Sequence, residues 1–300
     1  MSAVPFPRHV AALILATLAC AFAGNHIAAR IAFDHEAGLL LAILCRSGVT
    51  FLVLSALVLW QRDSLRLNRS TWGWQLMLGL LIAVQSFCIY SAVARIPVGL
   101  ALLVVNLSPI LLALLTWLLG GPAPTGRAAA IMGVILFGLV LVLDVPARLS
   151  GATSIDAHWL QGVLFSLTAA GVFAVALWIT EHRLSRMPGR VRSMLTMAVV
   201  FSASTLAGLS GALPGGLGLP NAITGWMALA VLVLLYGTAF SLLFILMPRL
   251  DIARNAPVMN MEPVAGMFFG WLILGQLLGG LQVLGGLIVV GGIVALAYRR

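Results

Sequence analysis

The residue of this sequence with the clearest chemical potential is Glu262, which lies in a long apolar run at 253–275 and is followed by a proline. If that run is a membrane helix, a rise of about 1.5 Å per residue places the carboxyl roughly 14 Å inside, near the bilayer midplane. An ionisable group there indicates function: Glu262 would bind a substrate ammonium or carry a proton. The alternative is a structural role, in which a protonated carboxyl bonds to a neighbouring helix near the carbonyl that Pro263 frees.

Two asparagines occupy equivalent places before prolines. Asn106 precedes Pro109 by three residues, and Asn260 precedes Pro263 by three. Near the midplane, both amides would either face the substrate or join helices by satisfying the carbonyls that the prolines free. We expect both prolines to kink their helices, which would let the helices hinge or line a cavity.

Four more side chains with polar tips lie in apolar runs and are candidates for substrate binding: Gln85, Tyr90, Trp178 and Tyr236. Tyr236 is the most central, about 18 Å from the outer end of its run. Tyr90 and Trp178 lie nearer the ends of theirs. Aromatic residues commonly form interfacial belts at such positions, so a belt position is the default for these two.

Asn25 and His26 form a polar pair in the outer third of the first apolar run. Because adjacent polar residues are disfavoured against lipid, we expect them to face a cavity or another helix. His26 would then either contact the substrate or take up a proton there, or it would have a structural role.

Arg30, Arg46 and Arg95 are assigned to the outer ends of apolar runs, where a long cationic side chain usually extends to the interface. On this interpretation no arginine lies near the midplane, and the sequence contains no lysine. A carrier of phosphorylated sugars would need cations to balance two or more negative charges, so exchange of phosphate esters is not expected. A mostly neutral cavity with one acid suits neutral zwitterions with apolar side chains, or lipophilic amines.

These residues must be positioned by a membrane-embedded scaffold, because 62% of the 300 residues are hydrophobic and only 8% are charged. Soluble domains carry about 25% charged residues, so that class is excluded. The net charge of +9 comes from 17 basic residues, all arginine, which stand singly or in short groups between apolar runs. A nucleic-acid-binding protein would instead cluster them on one surface. The three cysteines lie in apolar runs without the spacing of metal ligands.

Ten apolar runs are long enough to cross roughly 30 Å of hydrocarbon, and they predict an all-α integral membrane protein. We interpret the first run as a retained span, although small residues near Cys20 resemble a signal-peptidase site. Thirteen arginines fall on the side of the N-terminus and four on the other, which predicts a bacterial inner-membrane protein with both termini in the cytoplasm. The runs lie at about 9–31, 38–60, 72–94, 98–119, 127–144, 159–182, 192–212, 224–247, 253–275 and 279–298.

The sequence also contains an internal repeat, with halves at residues 1–150 and 151–300 of five helices each. Because five is odd, the second half enters the membrane from the opposite side. Inverted repeats are typical of carriers that alternate access to a site near the midplane. A shift of 154 residues superposes Trp72 on Trp226, Arg95 on Arg249, Asn106 on Asn260, Pro109 on Pro263 and Trp117 on Trp271.

The repeated segments resemble EamA-type members of the drug/metabolite transporter superfamily. Arg46 stands where this family often has an arginine in its second helix, whereas Gly120-Gly121 and Gly275-Gln276 depart from the Gly-Glu that often follows the fourth and ninth helices. Length and overall pattern look similar to the YddG-type exporters of aromatic and other neutral amino acids. The resemblance rests on Tyr90-Ser91-Ala92 through Asn106-Leu107-Ser108-Pro109 to Gly120, and on Tyr236-Gly237-Thr238 through Asn260-Met261-Glu262-Pro263 to Trp271 and Gly275.

The resemblance implies a secondary carrier that exports small neutral metabolites through a cavity lined mainly by spans 1, 3, 4, 6, 8 and 9. A proton-coupled exporter of lipophilic amines, with Glu262 as proton carrier, is the alternative. An enzyme is less favoured, because the sequence has no His-Glu-x-x-His, Gly-x-Ser-x-Gly or intramembrane aspartate pair. A structural protein without transport is less favoured because of the polar residues inside the apolar runs. It has no nucleotide-binding loop, so we expect no ATP, and we expect no cofactor, metal or nucleic acid. The oligomeric state stays open.

Overall fold

The chain folds into a bundle of apolar helices. The computed structural model describes residues 6–61, 69–149, 156–211, 217–246, 249–250, 258 and 261–297, and within these ranges the regular structure is helical. Seven helical stretches are long and apolar enough to cross a membrane, with 98–118 counted as one stretch, and three shorter apolar helices bring the number to ten. The predicted all-α architecture of ten spans is confirmed. The helices are α1 Arg8–Asp34, α2 Leu39–Trp60, α3 Arg69–Val93, α4 Val98–Val105, α5 Ser108–Leu118, α6 Gly126–Val142, α7 Val145–Leu149, α8 Ala157–His182, α9 Gly189–Leu209, α10 Ile223–Leu246, α11 Met261–Leu274 and α12 Gly280–Ala297.

The fourth predicted span is interrupted rather than continuous. Helix α4 ends at Val105 and α5 begins at Ser108, so the junction starts at Asn106. Pro109 lies in the first turn of α5, where N–H groups have no partner within the helix. Its missing N–H therefore costs no hydrogen bond there. A helix continued through the junction would press the proline ring against the carbonyl of Val105, four residues earlier. The interruption therefore has the physical cause expected of Pro109, and a hinge motion at this point stays a prediction.

Corresponding helices of the two halves end in the same way. Helix α5 ends at Leu118 and α11 at Leu274. Just beyond each end lies a glycine in the left-handed region, Gly120 with φ of 89° and Gly275 with φ of 64°. Residues other than glycine rarely adopt this backbone conformation. It allows the N–H groups that follow to bond to the last carbonyls of the helix. The two halves thus end this helix with the same backbone conformation, in addition to sharing residue types.

Helix pairing follows the duplication. Helix α1 packs against α10, and the equivalent pair α8 and α3 also pack together. The pair α3 and α9 is matched by α10 and α2, and the pair α1 and α11 is matched by α8 with α4 and α5. Three further pairs join equivalent helices directly: α2 with α9, α4 with α11, and α6 with α12. The extensive contacts therefore join one half to the other, so the two halves interlock. Helix α1 touches α3, α10 and α11, which gives it a central place.

The backbones of α6 and α12 come close together at Gly285. A Cβ on Gly285 would lie 2.6 Å from the carbonyl oxygen of Gly138 and 2.7 Å from the backbone nitrogen of Val142. Small residues let helix backbones come this close in a membrane, where packing rather than the hydrophobic effect joins helices. On the same helix, a Cβ on Gly291 would meet nothing within 4 Å.

We predict that Gly285→Leu forces α6 and α12 apart and lowers the free energy of unfolding by roughly 1–3 kcal/mol, as expected for overpacking. Gly291→Leu is the matched control, because it adds the same side chain to the same helix without a clash. Thermal unfolding of both variants in detergent measures the difference. Equal shifts in the two variants would show that the close approach at Gly285 does not hold the pair together.

Candidate functional site

A buried cation, Arg46, is the centre of a polar network inside the bundle. It is 4% exposed. Its Nη1 donates to the Tyr90 hydroxyl oxygen (3.1 Å), and its Nη2 donates to Ser86 Oγ (2.6 Å). Its Cζ also lies 4.8 Å from the ring centroid of Tyr90 and 4.1 Å from that of Tyr236. A ring face within roughly 6 Å stabilises a cation by about 1–2 kcal/mol. Groups on α3 and α10 thus solvate a charge that belongs to α2.

The sequence of α2 directs Arg46 inward. Ile43, Arg46, Thr50 and Leu54 recur at intervals of three or four residues and are all buried, so they share one face of the helix. Leu52, in contrast, is 66% exposed. The expectation that Arg46 extends to the interface is therefore wrong. Its place on the buried face points the guanidinium towards the hydroxyl groups of α3.

Tyr90 links Arg46 to the first helix. It is fully buried, and its hydroxyl accepts from Arg46 while donating to Asn25 Oδ1 (3.0 Å). Asn25 is also fully buried and donates from Nδ2 to the carbonyl of Phe22 (3.4 Å). The interfacial-belt position expected for Tyr90 is wrong, because the phenol finds its hydrogen-bond partners within the protein rather than at the water interface.

Glu262, from the second half, meets the first half at His26. His26 Nε2 lies 3.6 Å from Glu262 Oε1, which makes an ion pair when the imidazole is protonated. The side chain of His26 is 10% exposed and that of Glu262 is 27% exposed, so the carboxylate is the more accessible of the two. His26 Nδ1 is buried and has no hydrogen-bond partner among the described residues. The pair therefore keeps capacity to bind a further group.

Aromatic rings pack together beside these charges. Tyr236 packs edge-on against Phe22, with centroids 5.9 Å apart, and stacks on Phe240 at 5.3 Å. The Arg46 guanidinium lies 4.1 Å from the centroid of the Tyr236 ring, and Arg46 and Glu262 form no ion pair within 4 Å. Tyr90, which bonds to Arg46, packs edge-on against His26 with ring centroids 5.9 Å apart, and His26 contacts Glu262. A cation from the first half and a carboxylate from the second are thus joined by one connected set of contacts. The arrangement can bind opposite charges together with an apolar group.

Five of the predicted site residues belong to this cluster: Asn25, His26, Tyr90, Tyr236 and Glu262. Asn25 and His26 are buried against other helices, as expected for a polar pair that avoids lipid.

Three other predicted residues fall elsewhere or outside the description. Gln85 is partly exposed, and it lies about 100° round α3 from its neighbour Ser86. Asn106 caps the end of α4 at the interruption and is partly exposed. Asn260 and Met259 lie outside the described residues, and the kink at Pro263 stays a prediction. Pro263 itself is buried in the first turn of α11.

Trp178 is remote from the cluster. It stacks on His182 at the end of α8, with centroids 4.9 Å apart, and the Arg183 guanidinium lies 5.6 Å from its ring. On α3, its hydrophobic neighbours include Leu78, which lies about 12 Å along the helix axis from Ser86. The interfacial position that was the default for Trp178 fits this placement better than substrate contact does.

Arg46 and Ser86 are the site residues that sequence reasoning missed. The signal that could have found Arg46 is its spacing of three or four residues from Ile43 and Thr50, which the buried face requires. Its position also removes the premise that no arginine lies deep in the bundle. A phosphate ester remains a poor fit, because one guanidinium balances only one of two negative charges.

A groove of about 320 Å³ lies between α2 and α10. The Thr50 hydroxyl, which donates to the carbonyl of Arg46 (2.7 Å), would lie 3.7 Å from a Cβ on Gly237. The groove is lined by Val49, Val53, Val233, Leu234, Gly237, Thr238, Ser241 and Leu242.

Ten apolar helices in two interlocked halves, with charged groups buried between them, define a multi-pass membrane protein of the carrier type. The family model of the EamA-like transporter family matches residues 9–144 and 160–298, one domain in each half. The chain belongs to the EamA-like transporter family, whose members are secondary carriers and not enzymes.

A solved crystal structure of another protein has the same fold. It superposes with a TM-score of 0.63 at 22% sequence identity, over 98% of this chain and 99% of the other. At this identity the likeness speaks for the fold alone. No curated protein matches the sequence significantly.

We predict that Tyr90→Phe lowers the free energy of unfolding by about 1–3 kcal/mol, because it leaves Arg46 Nη1 and Asn25 Oδ1 buried without their shared partner while keeping the ring. Ser91→Ala is the control. The Ser91 hydroxyl is buried on the same helix without a hydrogen-bond partner among the described residues, so its removal should be nearly neutral. Thermal unfolding in detergent compares the two. A Tyr90→Phe variant as stable as Ser91→Ala would contradict the structural importance of this hydroxyl.

Proposed function

We propose that the protein exports small neutral metabolites, above all aromatic and other neutral amino acids, by alternating access of one site between its halves at residues 1–150 and 151–300. The observation that carries the proposal is the partly exposed carboxylate of Glu262. It belongs to the second half and contacts His26 of the first half, next to the rings of Phe22 and Tyr236. A carboxylate in a low-dielectric site attracts an ammonium group. The rings of Phe22 and Tyr236 offer an apolar surface to the side chain of a bound amino acid.

The interlocked pairing of helices supports the mechanism. Because each pairing has an equivalent in the other half, two conformations of similar energy can arise by exchanging the roles of the halves. In this scheme both termini lie in the cytoplasm of a bacterium with the protein in its inner membrane, as the distribution of arginines favours. Substrate would reach Glu262 from the cytoplasm and leave on the outer side.

Counterflow of labelled phenylalanine in proteoliposomes, without an ion gradient, tests this function directly. We expect accumulation that unlabelled phenylalanine, threonine or methionine abolishes, since counterflow reports a carrier whatever its energy source. Absence of accumulation, with protein shown to be folded and inserted, would count against the amino-acid proposal.

We expect Glu262→Gln to weaken phenylalanine exchange roughly tenfold to hundredfold, because a hydrogen bond between charged groups is worth about 1.5–3 kcal/mol. Glu181→Gln is the matched control, since Glu181 is an exposed acid at the end of α8. Exchange rates at several phenylalanine concentrations separate binding from turnover. A Glu262→Gln variant with unchanged affinity would exclude an ammonium-binding role.

Proton-coupled efflux of lipophilic amines is the second candidate, and the contact between His26 and Glu262 favours it. A proton and an ammonium would compete for the same carboxylate. We predict that an imposed pH gradient drives uptake of a labelled lipophilic amine by the wild type and not by Glu262→Gln. If Glu262→Gln kept full transport driven by the pH gradient, the proton would have another carrier.

A further inference from the structure

We infer that Arg46 binds the carboxylate of the transported amino acid, at the site where Glu262 binds its ammonium. The inference rests on the proposed function and sharpens it. A site that recognises only an ammonium and an apolar group cannot distinguish an amino acid from a lipophilic amine. A cation in the same site makes that distinction.

The first observation is that Arg46 has no anionic partner among the described residues. No carboxylate of the described residues lies within 4 Å of its guanidinium. Its neighbours are two hydroxyl oxygens and two ring faces, which compensate for a positive charge only in part. Keeping an unpaired ion out of water costs several kcal/mol. A bound carboxylate would supply the missing charge, so occupancy of the site becomes favourable.

The second observation is that the guanidinium has more N–H donors than it has hydrogen bonds among the described residues. It has five N–H groups, and the structure uses one on Nη1 and one on Nη2. Its Nε is buried and has no hydrogen-bond partner among the described residues. A planar guanidinium with spare donors matches the two oxygens of a carboxylate.

The third observation is the position of the two charges. Arg46 comes from the first half and Glu262 from the second. They are connected through Tyr90, which bonds to Arg46 and packs edge-on against His26, the neighbour of Glu262. In an α-amino acid the carboxylate and the ammonium are attached to one carbon atom. A site that presents a cation and an anion through one set of contacts can hold both groups while the substrate side chain packs against Phe22 and Tyr236.

The competing explanation is that Arg46 is only a clamp that fixes α2 to α3 and α10. The two explanations differ in selectivity. Loss of a clamp would impair the transport of every substrate in proportion, whereas loss of a carboxylate-binding group would impair only substrates that carry a carboxylate.

The experiment compares labelled phenylalanine with labelled phenethylamine, which is the same molecule without its carboxylate, in proteoliposomes. The wild type should prefer phenylalanine. We expect Arg46→Gln to lower the ratio of phenylalanine to phenethylamine transport roughly tenfold to hundredfold, and Arg46→Lys, with a charge but no planar fork, to give an intermediate ratio. Arg186→Gln removes a charge from an exposed position and should leave the ratio unchanged.

A proportional loss of both activities in Arg46→Gln would overturn the inference and leave the proposed function standing, since the wild type would still exchange phenylalanine. Wild-type protein that exchanges no amino acid would instead overturn the proposed function. If Arg46→Gln does not insert stably, competition on the wild type decides the question. Phenethylamine that displaces phenylalanine as well as phenylalanine itself would show that the carboxylate is not recognised.

Discussion

The bundle is organised around the solvation of one charge in a medium that offers no water. A guanidinium in the hydrocarbon region must take its compensation from the protein, because a bare ion there is several kcal/mol less stable. Arg46 takes it from Tyr90 and Ser86 on α3 and from Tyr236 on α10. Asn25 on α1 accepts the hydrogen bond that orients Tyr90. Four helices are thereby held in register by a single cation.

The scaffold is symmetric, but the site is not. The helix pairings are preserved when the two halves exchange roles. At the shift of 154 residues that relates the halves, however, Arg46 corresponds to Val200 and Glu262 to Ser108. Each charge therefore belongs to one half only. A symmetric site would present like groups to both ends of a substrate, whereas Arg46 and Glu262 present unlike charges, as expected for the zwitterion proposed above.

Sequence could predict the scaffold because, in a membrane protein, apolar length is itself the structural signal. Through Pro109 it predicted a kink in the fourth span, and the structure has an interruption just before that residue. The inward direction of Arg46 was missed because depth along a run does not say which face of the helix a residue occupies, and its spacing from Ile43 and Thr50 does. The partnership of Tyr90 depends on the packing of α1 and α2 against α3, which no local pattern encodes.

The absence of a direct ion pair between Arg46 and Glu262 suits a molecule whose halves must move. Paired charges in a low-dielectric interior are costly to separate, so a direct bond would favour one conformation strongly. The two groups are connected through Tyr90 and His26 instead, and the contact of Glu262 with His26, at 3.6 Å, is longer than a hydrogen bond. This contact between the halves is easier to break than a direct ion pair between Arg46 and Glu262 would be. A ligand shifts such an equilibrium by its differential affinity for the two states, and a zwitterion that touches both halves has the means to do so.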